Sequence, residues 1–410
     1  MRPGQNTSAV KEIVRRRLRL IAEKTFDHLA VRKFGVLSVS LLCALNVSLL
    51  AQPKISGQAS AAFVASQSGA SQYVFNEGRS TFAWRLDLFG DAVLSDNVAF
   101  LSNFRILQDQ ILHIDYLVLR VTDIASSGMN AELGQISIPF GNLGERRFPW
   151  RNPFFSLPLM NEHLTSLSKR DYALRAPDLA RPARGDGVHL LDGALYDLGI
   201  QLYGNIGVFT YSAAVINGMI SETGTYGSEG LSTHHGFGKI LRLAATPQTG
   251  LTIGVSYALG PFMKDVYGKD PSRYPQRIVG SDVEFSTGYF SFYGQAAYNV
   301  WEYYSLNLKA FAYSVEGRYA LTPRISVACR SGGLLFNSIT AQVHTDTEDP
   351  AALTSYSGKW DYDVLRLEGA LLYRFAREVL FKLTYQWNKT LDVPSDPADN
   401  VFAVQAVLIF

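Results

Sequence analysis

The chain has 410 residues, with 38 Lys or Arg against 36 Asp or Glu and only two cysteines. At 18% charged and 47% hydrophobic it is less charged than a usual soluble protein, yet too polar for a helical membrane protein. So few cysteines exclude a disulfide-stapled scaffold or a zinc-ribbon array, and 21 Tyr with 24 Phe exclude a disordered acidic tail.

Residues 1–51 read as an N-terminal extension plus an export signal. Arg32 and Lys33 form a positive n-region, and residues 34–50 form an h-region free of charge. Ala51 before Gln52-Pro53 is a plausible cleavage point. Residues 1–30 are long and polar for an n-region, which suggests a translation start near Val31. Once 1–51 are set aside, the remaining chain carries a net charge of −4. It keeps one cysteine, Cys329, and therefore has no disulfide.

Beyond residue 51 no apolar run approaches the roughly 18 residues of a membrane helix. Period-two alternation appears instead. Phe82, Trp84, Leu86 and Leu88 alternate with Arg85 and Asp87. Leu365, Leu367, Leu371 and Tyr373 oppose Arg366, Glu368 and Arg374. Phe381, Leu383, Tyr385 and Trp387 oppose Lys382, Thr384, Gln386 and Asn388. In chain order the pattern predicts strands near 55–67, 81–95, 98–108, 111–123, 131–141, 193–205, 209–218, 234–247, 251–263, 276–288, 290–303, 306–322, 325–339, 362–377, 379–390 and 400–410.

Connection lengths sort these strands. Every even-numbered one is followed by a tight turn, and most odd-numbered ones by a long loop: 68–80, 142–192, 219–233, 264–275, 340–361 and 391–399. Outer-membrane barrels sort their connections this way, and a soluble sandwich has no reason to. The predicted fold is all-β: a transmembrane antiparallel barrel of about sixteen strands over 52–410. Loops lie outside the cell and both termini in the periplasm. Aromatics at both ends of 290–303 predict girdles bounding a lipid-facing band.

Sixteen strands leave a water-filled lumen. Arg85, Arg105, Arg366, Arg374 and Lys382, with Asp87 and Glu368, are the predicted lumen-facing charges. The longest connection, 142–192, has no predicted secondary structure, and such long loops are normally functional. Its Phe148, Trp150, Phe154, Phe155, Leu157, Leu159 and Met160 need burial, which the inner barrel wall would supply. The loop is net positive, and Arg146, Arg147, Arg151, Lys169 and Arg170 are the predicted lining of a pore constriction. An anion-favouring eyelet is one reading of that charge; local pairing with Glu145, Glu162, Asp171, Asp178 and Asp186 is the other. At the end of the chain Phe402, Val404, Ala406, Leu408 and Phe410 share a face. These residues resemble the C-terminal signal read by bacterial barrel-assembly machinery, with Phe402, Leu408 and Phe410 as its anchors.

Gly134-Gln135-Ile136-Ser137-Ile138-Pro139-Phe140-Gly141, then Asn152-Pro153 and Leu157-Pro158-Leu159, resemble the entry to the constriction loop in porins of the phosphate-selective O/P type. Residues 197–202, 211–218, Leu321-Thr322-Pro323-Arg324 and Leu383-Thr384-Tyr385-Gln386 match in style. The resemblance implies a homotrimeric diffusion channel for small solutes or anions. In phosphate-selective members an arginine ladder and a lysine ring choose the anion; here the long loop supplies only Lys169. Expected partners are outer-membrane lipid and lipopolysaccharide, the latter through Asp346, Glu348 and Asp349 in one reading.

No enzyme is predicted, and no cofactor or metal. His234 and His235 are adjacent on a predicted strand and point to opposite faces. A phosphate-cradling glycine loop is missing, as is a basic surface for nucleic acid. A structural or adhesive barrel without an open pore, and a barrel-embedded hydrolase, are the alternative functions.

Overall fold

The computed structural model describes residues 53–67, 80–108, 111–168, 179, 187–193, 195–221, 236–262, 273–303, 306–344, 353–393 and 399–410. The export signal and h-region, Lys169, Arg170, His234, His235, Asp346, Glu348 and Asp349 lie outside them, as do most of the long loop tips.

The alternating segments form strands that close on themselves. They are β1 (Lys54–Ser66), β2 (Thr81–Ser95), β3 (Val98–Leu107), β4 (Leu112–Val121) and β5 (Met129–Ser137). Next come β6 (Leu164–Ser168) and β7 (Gly187–His189), then β8 (Tyr196–Ile206), β9 (Phe209–Ile216), β10 (Gly238–Gln248) and β11 (Leu251–Pro261). The chain continues with β12 (Pro275–Thr287), β13 (Phe290–Tyr303), β14 (Leu306–Ala320) and β15 (Ile325–Phe336). After β16 (Ser338–His344) and β17 (Leu353–Lys359) follow β18 (Val364–Arg374), β19 (Val379–Thr390) and β20 (Val401–Ile409). Sixteen of them, all but β6, β7, β16 and β17, pair in chain order into one closed antiparallel barrel, with β1 against β20. Closure leaves no strand edge unpaired in the wall.

Each strand presents two chemistries. Along β19 Phe381, Leu383, Tyr385 and Trp387 are exposed on the outside, while Lys382, Thr384, Gln386 and Asn388 are buried within. The same division runs through β10, where Leu241 and Leu243 face out and Ile240 and Arg242 face in. An outer face of bare apolar side chains is the surface that a bilayer satisfies.

At the seam, the backbone N–H of Gly57 donates to the Phe410 carbonyl (2.8 Å), and the N–H of Phe410 donates back (3.0 Å). The Phe410 ring fills the space beside Gly57, where a Cβ would meet it at 2.6 Å. Phe402, Leu408 and Phe410 all face outward and are exposed.

Three expectations need correction. The 142–192 connection has structure of its own: a helical turn at Leu159–Glu162 and the β6–β7 hairpin. The segment read as one strand over 325–339 ends at Phe336. Residues 338–344 instead pair with 353–359, so the 340–361 loop is a separate hairpin. The aromatic girdle at the far end of β13 also divides. Phe290 and Tyr298 face out, but Trp301 sits at an odd position and points inward. It is fully buried, edge-on to Trp360 at 5.4 Å between ring centres.

Candidate functional site

Residues 142–162 run along the inner face of the wall, held by side chains that strand alternation points inward. Asn142 donates to the Val283 carbonyl (3.2 Å). The Trp150 N–H donates to Gln58 Oε1 on β1 (3.1 Å). Lys382 of β19 is buried, and its ammonium donates to the carbonyls of Pro149 (3.0 Å), Asn152 (3.1 Å) and Phe154 (3.3 Å). A buried ammonium has three protons to satisfy, and this turn of the loop supplies three acceptors.

Arg330 of β15 does more. Register places it between Glu316 and Glu368, one strand away on either side. It donates to Glu368 through Nε and Nη2 (2.5 and 2.9 Å) and to the Ser156 and Leu157 carbonyls (2.9 and 3.0 Å). The Ser156 hydroxyl also bonds Glu368, and the Phe154 ring lies 4.4 Å beneath the guanidinium. Arg366 donates to Glu162 (2.7 Å), Asn388 (2.9 Å) and the Leu157 carbonyl (3.2 Å). The planar fork of arginine suits this division between carboxylate and backbone oxygens.

Apolar packing completes the attachment. Leu159, Met160, Leu167, Val188, Leu190 and Leu191 join a core with inward residues of β9 to β15, including Ile240, Ile278, Trp301, Leu308 and Phe336. Phe154 and Trp150 pack on Ala328, Ala370, Leu372, Leu380 and Val407. The loop therefore lies on a partly apolar inner wall, and its hydrophobic residues are sealed against that wall.

The sequence-predicted residues separate into two groups. Arg146 is anchored: it pairs with Glu316 (3.3 Å), bonds the Asn142 side chain (2.9 Å), and stacks 4.1 Å from the Tyr293 ring centre. Arg147 donates to Ser137 Oγ (2.7 Å) and stacks 4.1 Å from the Tyr196 ring centre. Arg366 and Lys382 hold the loop and are 2% and 1% exposed, so they are not the wetted pore wall that was expected. By contrast Arg151 is 63% exposed, and its ion-pair partner among the described residues is Glu145 (3.4 Å). Arg85 and Arg105 face the lumen, partly exposed, and pair with Asp87 (2.8 Å) and Asp115 (2.9 Å). Arg374 stacks 5.1 Å from the Trp150 ring centre, and Arg318 of β14 occupies an inward position two residues beyond Glu316.

A cavity of about 250 Å³ remains between the loop and the wall of β1 to β3 and β20. Arg85, Arg147, Asn152, Phe155 and Gln405 line it. Arg318 and Arg330 were not among the predicted site residues. One signal was present: Arg330 alternates with Ser326, Ala328 and Gly332, small inward neighbours that leave room for a bulky partner.

Two titratable groups outside the wall bear on the loop. Asp361, between β17 and β18, accepts from the Ser166 N–H (2.8 Å), and burial pushes its carboxyl up to about 7. His163 is fully enclosed, and burial together with Arg366 and His189 holds it down to about 3. The signs oppose each other. The raised Asp361 favours the folded form at low pH, an advantage lost as pH climbs from about 4 through about 7. The depressed His163 favours it above about 6.5, an advantage lost on descent towards 3. Of these two groups, only Asp361 still titrates above pH 6.5. Between pH 6.5 and 8 the urea midpoint of the parent protein should fall relative to that of Asp361→Asn; parallel curves would remove Asp361 from the account.

The sequence matches no known protein family and no curated protein. Solved structures do match. The anion-selective porin from Comamonas acidovorans superposes with a TM-score of 0.56 at 10% identity, covering 88% of this chain and 100% of that one. OmpT, an outer membrane protein of Vibrio cholerae in its trimer form, gives 0.55 at 10% identity over 88% and 99%. The outer membrane channel DcaP of Acinetobacter baumannii gives 0.54 at 12% identity over 88% and 97%. The chain thus has the porin-type fold, a closed antiparallel barrel of sixteen strands.

Proposed function

We propose that the protein is an outer-membrane diffusion channel for small hydrophilic solutes or ions, with its long loops outside the cell and a homotrimeric assembly. The observation that carries the reading is the division of the inner face. Loop 142–162 is sealed onto one arc of the wall, whereas β1 to β4 retain charged side chains that reach open space. An apolar plug would not need the Arg85–Asp87 and Arg105–Asp115 pairs, whose arginines are partly exposed.

The channel favours anions. Arg318 and Arg374 form no ion pair among the described residues, and Arg151 forms an exposed one with Glu145; a narrow low-dielectric passage strengthens their field. Arg146 and Arg147, committed to packing, contribute less than the sequence suggests. In planar bilayers under a KCl gradient, Arg151→Gln, Arg318→Gln and Arg374→Gln together should shift the reversal potential toward cations. Arg146→Gln with Arg147→Gln should shift it less. Deleting residues 145–185 should raise single-channel conductance. A closed bilayer record from folded barrels would overturn the channel reading, and an unmoved reversal potential in the first variant would overturn the anion preference alone. Repeating the measurement in phosphate separates a general anion preference from the phosphate-selective subtype.

A further inference from the structure

The cavity between the loop and the wall of β1 to β3 is more differentiated than passive flow requires. Register builds it. On β2, β1 and β20, Arg85, Ser60 and Val407 stand side by side, and two residues nearer the long-loop end so do Ala83, Ala62 and Gln405. Ser60, Ala62 and Ala83 are small, which leaves a hollow between the long side chains of Arg85 and Gln405. Strand spacing and rise set their backbones about 12 Å apart. The hollow holds about 250 Å³. Pockets for drug-sized ligands hold roughly 300–1,000 Å³, so this one suits a solute with one ring or a short chain.

Its two ends differ. Arg85 and Arg147 line one end, both against the Phe148 ring at 5.7 and 5.8 Å from its centre. Among the described residues, no Asp or Glu joins the lining. Arg85 is 20% exposed while Asp87 is fully buried, so the pair shows the cavity its cation. Asp87 takes the Nε–Nη2 edge of that guanidinium (2.8 Å each), and the Nη1–Nη2 edge is left for a second oxyanion. The sides are apolar, with Phe155 of the loop packed on Ala62 and Val64. At the other end Gln405 is 6% exposed, and its Oε1 is buried with no hydrogen-bond partner among the described residues. Buried amide oxygens are nearly always bonded, because leaving one unpaired is costly.

We propose that this cavity is a binding subsite for hydroxylated carboxylates with a compact apolar body. The carboxylate takes the vacant edge of Arg85, and Arg147 adds its charge from the same end. The apolar body lies between the Ala62–Ala83 wall and Phe155, and the hydroxyl meets Gln405. A hydroxyl both donates and accepts, so it serves the amide whichever way that group is turned. Inorganic phosphate would use the charged end and leave the rest empty. A carboxylate without the hydroxyl would leave Gln405 unpaired. The proposal names the solute class of the anion channel and rests on that reading.

The test is calorimetric titration of the intact, folded barrel in detergent with 4-hydroxybenzoate, benzoate and inorganic phosphate. At pH 7 the first two are carboxylates, and the phenol keeps its proton as tyrosine does. The parent protein should bind 4-hydroxybenzoate about tenfold more tightly than benzoate, the effect of one hydrogen bond, and phosphate more weakly than either. Gln405→Leu should abolish the preference by weakening 4-hydroxybenzoate alone. Arg85→Gln with Asp87→Asn removes the pair without stranding a buried carboxylate, and should weaken both acids about tenfold or more. Ala83→Leu, which fills the hollow, should weaken both as well. Should the double variant fail to fold, shown by loss of its heat-dependent gel mobility, Gln405→Leu and Ala83→Leu carry the test. Equal affinity for the two acids in the parent, an equal loss of both in Gln405→Leu, or phosphate binding as tightly as 4-hydroxybenzoate would overturn the proposal. Titration needs no open pore, so conductance of the same preparation keeps the two readings apart. Saturable binding that depends on Gln405 in a non-conducting barrel supports the subsite and removes only the channel; a conducting barrel that binds neither acid removes only the subsite.

Discussion

Replacing Arg330 by methionine is expected to destabilise the barrel by about 3–5 kcal/mol, the usual consequence of removing one partner from a buried charge cluster. Arg330 is 2% exposed, and its loss leaves Glu368 buried beside the Ser156 hydroxyl with no cation of its own. Glu316 retains Arg146 at 3.3 Å, so the damage centres on Glu368. Adding Glu368→Gln should recover part of the loss, because an amide tolerates the site better than an unpaired carboxylate. Urea unfolding of the folded barrel in lipid vesicles measures both. The loop should loosen as well, since Arg330 holds two of its carbonyls, and channel recordings of the single variant should be noisier. A loss below about 1 kcal/mol would mean that the cluster contributes no more than a surface ion pair.

The second large effect concerns the two faces of β19. Leu383→Arg, on the lipid side, should cost about 2–4 kcal/mol if it sits near the bilayer midplane. From alternation alone, Thr384→Arg should cost little, because a lumen side chain would reach water. The structure changes that expectation. Thr384 is 6% exposed, flanked in register by Ala370 and Ala403, and Lys382 lies buried two residues before it. A guanidinium there would overpack the wall, at a typical cost of about 1–3 kcal/mol, and would add a cation beside an existing buried one. Both variants should therefore destabilise, measured by the same vesicle unfolding. A silent Thr384→Arg would show that this part of the inner face is wet.

Strand positions were legible because each strand needs only its own alternation: Leu383 and Lys382 declare their faces without reference to any partner. The turns were legible for the same local reason. Trp301 was misread because aromatic enrichment was counted without parity, and one residue decides whether a ring meets lipid or core. The burial of the loop could be inferred from Phe148, Trp150 and Phe154, but the identity of its anchors could not. Nothing near residue 156 indicates Arg330 or Glu368, and nothing near Lys382 says that its charge serves three carbonyls. Arg146 and Arg147 look as free as Arg151 in sequence; only Glu316, Tyr293, Ser137 and Tyr196 distinguish them.

The bonds that pin the loop also dictate an order of events. Glu162 meets Arg366 across 204 residues of chain, Ser156 meets Glu368 across 212, and Pro149 meets Lys382 across 233. None can form until strands far later in the chain have been made and set in register. During that interval Trp150, Phe154, Leu159 and Met160 have no wall to cover them, and exposed apolar surface in an unfinished barrel invites aggregation. The docked loop is thus a late step of maturation, and a barrel halted before β18 and β19 join would present the sticky face of this segment to any chaperone within reach.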